Sequence, residues 1–138
     1  MRLLFSIPLT LVPLIVYAVL VMGPGGVAAF DSVLISQAML SGGTVTVTQG
    51  HTVAAIAIIA LFLEVVKATR TGFAPVLDHV LSVITAMGAL GRGIVWAPAA
   101  SGVFALLVLG ALIDVLAGCL ISLNVARRDV AIAPGGSF

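Results

Sequence analysis

Glu64, Asp78, His79 and Asp114 stand in stretches that are otherwise apolar. Carboxyl groups and an imidazole at successive depths of an apolar layer are the ingredients of a proton relay. Joined to Lys67 and Arg92, the same groups could instead make a purely structural network. An ionisable side chain in hydrocarbon costs about 2.5–3.5 kcal/mol on the insertion scale, so each needs a partner or a use. Lys67 follows Glu64 at the i,i+3 spacing of an intrahelical ion pair. Arg92 should lie roughly 7 Å inside the outer boundary, with a side chain long enough to reach towards Asp114. The expectation is a buried Arg92–Asp114 pair, with Asp78 and His79 joining the group around Glu64 and Lys67.

Other chemistry is not written in this chain. Two histidines and one cysteine lie on different elements, without the spacing of a zinc site. No nucleophile elbow and no phosphate-binding glycine loop is present. His51 reads as an interface residue and Cys119 as a small packing residue. The sequence therefore assigns no catalytic, cofactor-binding or metal-ligating residue, and the chain does not read as an enzyme.

The elements that must hold the buried charges follow from small-residue spacing. Steps of four give Gly110, Asp114, Gly118 and Ser122 on one helix face, and Ala60, Glu64 and Ala68 share another. A third face carries His79, Ser82, Ala86 and Ala89. Small residues let neighbouring backbones approach, so Gly110, Gly118, Ser122, Ala60 and Ala86 are expected to be packing positions. The first apolar stretch offers only Thr10 and Tyr17 and is expected to face lipid.

Of 138 residues, 62% are hydrophobic and 8% charged; soluble domains have about 45–50% and 25%. The predicted class is an all-α integral membrane protein: a four-transmembrane-helix bundle with a short outer interfacial helix and loop. As a single membrane domain over 1–138, it has expected spans at about 3–22, 51–68, 76–96 and 102–124, and an outer loop at 23–50. Within that loop, Phe30 to Leu40 has the spacing of an interfacial helix. Thr44 to Thr48 alternates like a strand, as a small hairpin or a stiff lead-in to the next span. A signal peptide is the rival for the first stretch, but about 20 apolar residues exceed the usual h-region.

Arg2, Lys67, Arg70, Arg127 and Arg128 fall on one side of this arrangement, which the positive-inside rule makes cytoplasmic. Both termini are then cytoplasmic and the location is a bacterial inner membrane. A net charge of +1 excludes a nucleic-acid face, and one cysteine excludes an internal disulfide. The expected partners are the lipid bilayer and a larger membrane complex or further copies of the chain.

The runs Glu64 to Gly72, Asp78-His79 with Ser82, Leu112 to Val115 with Gly118, and Ala126 to Asp129 carry a resemblance. Together they resemble a family of small uncharacterised four-span bacterial inner-membrane proteins, over about 41–129. The resemblance implies a four-span architecture and brings no activity with it. The expected function is a structural, accessory or assembly component of a membrane complex. The alternative is an oligomeric proton or ion conductor using Asp114 and Glu64.

Overall fold

The computed structural model describes residues 7–69 and 73–132, with side chains at 7–69 and 77–124. Helix α1 spans Leu11–Val21. Pro8 has no N–H to give, and it biases the preceding residue away from helix. Turn bonds from Leu11 N to the Pro8 carbonyl and from Val12 N to that of Leu9, at 3.1 and 3.0 Å, lead the chain into α1. A 3₁₀ segment, Gly26–Asp31, follows the Gly-Pro-Gly-Gly break.

Strands β1 (Val33–Ala38) and β2 (Thr44–Thr48) form an antiparallel hairpin. The interfacial helix expected over Phe30 to Leu40 is thus replaced: past Asp31 the segment is a strand. Val33 and Ile35 are β-branched, and the alternating Thr44 to Thr48 gives them a partner edge that a lone helix would lack. Gly42, at φ +84°, permits the reversal, and Met39 N bonds the Gly43 carbonyl at 2.8 Å. The register slips at Leu34, and Gln49 N closes the base on the Ser32 carbonyl at 2.9 Å.

Helix α2 (Gln49–Ala68) starts on a reciprocal cap. Thr48 N donates to His51 Nδ1 at 3.0 Å, and His51 N donates to Thr48 Oγ1 at 3.4 Å. Helix α3 occupies Phe73–Val95 and α4 Gly102–Ile132, with a 3₁₀ turn at Ala97–Ala99 between them. Both α2 and α3 pack mainly on α4. Gly50 meets Val103, so α2 and α4 start side by side and run parallel. Gly93 meets Phe104 and Gly118 meets His79, so α3 runs back antiparallel to α4.

The four-span bundle is not what this architecture supports. Among the described residues, two helices are long and apolar enough to cross a membrane: α2, and α4 from Gly102 to Asn124. The described α1 has 11 residues, which cover roughly 16 Å at 1.5 Å each, about half a hydrocarbon layer. Helix α3 is long enough, but Asp78, His79 and Arg92 interrupt its apolar run. The expected first span reaches back into residues 1–6, and the expected turn at Thr71 and Gly72 also falls outside the described residues. The structure is mostly helical, with the two-stranded sheet as its only sheet among the described residues.

Side-chain placement is inverted relative to a water-soluble domain. Phe62 on α2 and Leu116 on α4 are 65% and 63% exposed, whereas Glu64 is 2% and Asp114 5% exposed. An aromatic cluster closes one end. Tyr17 stacks on Phe30 at 4.6 Å between ring centres and lies against Phe104 at 5.2 Å. Its hydroxyl is 2.6 Å from both the Pro98 carbonyl and Ser101 Oγ. Tyr17 of α1 and Thr10 just before it are buried against the other helices, while Val12, Ile15 and Val19 leave the opposite face of α1 exposed.

Candidate functional site

At the end opposite the aromatic cluster, one ammonium gathers the chain. Lys67 Nζ lies 2.8 Å from Asp78 Oδ1 on α3 and 3.1 Å from Glu64 Oε1 on its own helix. It also donates to the Ile7 carbonyl at 3.0 Å and to Glu64 Oε2 at 3.3 Å. Glu64 Oε2 in turn accepts the Leu9 N–H at 2.9 Å. The pair three residues apart on α2 thus receives both a carbonyl and an amide from the segment entering α1. That placement also sets a carboxylate beside the N-terminal end of α1, the favourable sign for the helix dipole. Glu64 Oε1 and Asp78 Oδ1 meet Lys67 by proximity of charge, without an aligned hydrogen bond.

A second layer continues the cluster towards α4. Thr10 Oγ1 donates to Asp114 Oδ2 at 3.4 Å. Ser82, His79 and Gly118 face the same small void, whose volume is about 10 Å³. That is room for about one water. His79 Nε2 lies 3.2 Å from Cys119 Sγ. Gly118 is what admits the imidazole: a Cβ there would run into the His79 ring. Glu64 and Lys67 from α2, Asp78, His79 and Ser82 from α3, and Asp114 from α4 therefore surround one point, closed by the backbone at Ile7 and Leu9.

Arg92 stands apart from this cluster. The expected Arg92–Asp114 pair is not made; the guanidinium lies over the Trp96 ring, 5.6 Å from its centre. Arg92 sits near the C-terminal end of α3 beside the aromatic cluster, where Trp96 offers a ring face close at hand. Asp114 instead takes the nearer hydroxyl of Thr10. Among the proposed packing positions, Ala60, Ala86 and Gly118 are buried, Gly110 is half-buried with open space around it, and Ser122 is exposed at the void's edge. Cys119 is exposed beside His79 and does not act as core packing.

Sequence reasoning missed the backbone partners and the role of Thr10. Carbonyl and amide groups carry no sequence signal, although Pro8, which frees them from helix, does. Among the described residues no three His, Cys, Asp or Glu side chains group as a metal site. Compared with protein-family models, curated proteins and solved structures, the chain matches none.

Proposed function

We propose that the chain is a non-catalytic structural or accessory component of a bacterial inner-membrane complex, with the buried ionic cluster as its internal clamp. The observation that carries this reading is the inversion of polarity: among the described side chains, Glu64 of α2 and Asp114 of α4 are buried, while both helices present isoleucine, leucine or phenylalanine outwards. Of the most apolar windows of these two helices, 17% and 28% is buried. A helix in the core of a soluble protein is largely covered, so this outer face is matched to lipid or to partner helices. The two helices run parallel; Lys67 lies in the last turn of α2 with Arg70 after it in sequence, and Arg127 and Arg128 follow the apolar stretch of α4, so the positive-inside rule reads that side as cytoplasmic.

The cluster reads as a clamp because its groups are consumed by one another and by the backbone, and its void holds about one water. A conductor needs a continuous polar path. The second reading, an oligomeric proton conductor, draws on one fact: Glu64 and Asp78 share a single ammonium, and a third buried carboxyl group, Asp114, lines the same void. Vesicles containing the chain and a pH-sensitive dye separate the two. The clamp reading expects no proton flux at any imposed potential, and gentle extraction should yield a particle larger than the single chain. Flux that disappears in Asp114→Asn would overturn it in favour of the conductor.

A further inference from the structure

Helices α1 and α3 both lean on the rest of the bundle yet leave an apolar groove of about 700 Å³ between them. Leu11, Ile15 and Ala18 form one wall, Ile84 and Gly88 the other, and Phe104 of α4 lies beneath. Gly88 faces open space, with no atom within 4 Å of where its Cβ would be, so a large side chain there would project into the groove. At the end nearest the aromatic cluster stand Arg92 and Trp96. Among the described residues Arg92 has no carboxylate within ion-pair distance. Its guanidinium rests on the Trp96 ring, an arrangement that fixes a cation while leaving the donors on its rim available.

We propose that this groove holds an acyl chain of an anionic phospholipid, with the lipid phosphate bound by Arg92. Two observations select that occupant. The first is size. A membrane-crossing helix of about 20 residues and 10 Å width displaces roughly 2,400 Å³, far more than the groove offers, whereas a polymethylene chain is much narrower. The second is charge: an occupant that is apolar along its length and anionic at one end complements a greasy trough ending in an unpaired guanidinium. Arginine recognises phosphate through paired N–H donors, which lysine cannot match. The cluster around Lys67 lies at the other end of the bundle and takes no part.

The inference rests on the bilayer location proposed above. The full chain is reconstituted in vesicles containing phosphatidylglycerol or phosphatidylcholine, each with a photoactivatable group on the same acyl chain. The labelled peptides are then mapped. Labelling should concentrate on Leu11 to Ala18 and on Ile84 to Gly88, with phosphatidylglycerol favoured about tenfold, because in phosphatidylcholine the choline ammonium competes with Arg92 for the phosphate. Arg92→Gln should remove that preference, and Gly88→Leu should reduce labelling by both lipids. Equal labelling by the two lipids, or label spread evenly over α2 and α4, overturns the proposal. So does chain-to-chain or partner cross-linking through the groove that excludes lipid. Failure of the chain to float with vesicles removes both this inference and the membrane reading. Flotation without the Arg92 effect removes this one alone.

Discussion

Lys67 is the residue on which the interior turns. Its ammonium has a carbonyl from the approach to α1, a carboxylate on α2 and a carboxylate on α3 within 3.1 Å. Removing it strands Glu64 and Asp78, both of which are buried. Breaking a buried ion pair from one side costs about 3–5 kcal/mol, because the remaining charge is left without compensation. Lys67→Met is therefore expected to lower the thermal midpoint in detergent by far more than Arg92→Met, whose guanidinium is exposed. Static light scattering on heating would show the contrast. Equal losses in the two variants would mean that Lys67 contributes only its aliphatic stem. The double variant Lys67→Met with Asp78→Asn should recover part of the loss, since the orphaned carboxylate is then neutral. That recovery distinguishes a charge effect from a simple packing defect.

At the scale of elements, glycines on helices that look alike in sequence have opposite duties. A Cβ at Gly50 would lie 2.9 Å from Val103 Cγ2 and 3.1 Å from the Phe30 carbonyl, so α2 meets α4 and the 3₁₀ segment there with nothing to spare. At Gly110 nothing lies within 4 Å. Alanine gains up to about 1 kcal/mol in a helix interior, while overpacking costs about 1–3 kcal/mol. Gly110→Ala should leave stability unchanged or raise it, and Gly50→Ala should lower it, as read from urea or heat unfolding in the same detergent. A loss at Gly110 would mean that another chain packs there. Helical spacing put Gly110 and Gly118 in one stripe but could not say which neighbour came close, because that depends on where the His79 ring arrives from α3. The same limit explains Arg92, whose reach was legible and whose preference for the Trp96 face was not. The polar faces of Glu64 and Asp114 were legible because a charge amid small residues has few other places to go. Over β1 the sequence alone points to a helix, because Phe30, Val33, Leu34 and Ile35 fit a helical stripe in isolation. Only pairing with Thr44 to Thr48 selects the strand.

For the molecule as a whole, the bilayer location proposed above carries a direction that the distribution of charge makes testable. From Ser32 to Leu63 the chain has no aspartate, glutamate, lysine or arginine, and within this stretch the hairpin tip presents Met39 and Leu40 to the outside of the fold. Every lysine and arginine except Arg92 falls by sequence at the other end, where Lys67 lies. Retention of lysine and arginine on the cytoplasmic side would leave the hairpin on the outer side. Replacing Cys119 with serine and introducing Ser41→Cys gives a single thiol at the hairpin turn, where the residue is exposed. A membrane-impermeant maleimide added to intact spheroplasts should modify that thiol within the time needed for a known outer-face control. An epitope tag joined after Phe138 should become accessible only once the membrane is opened. The opposite pattern would invert the molecule and move Arg92, with the lipid it is proposed to hold, to the inner leaflet. Modification at both positions before opening would remove α2 and α4 from the bilayer, because parallel helices that both cross cannot leave their two ends on one side.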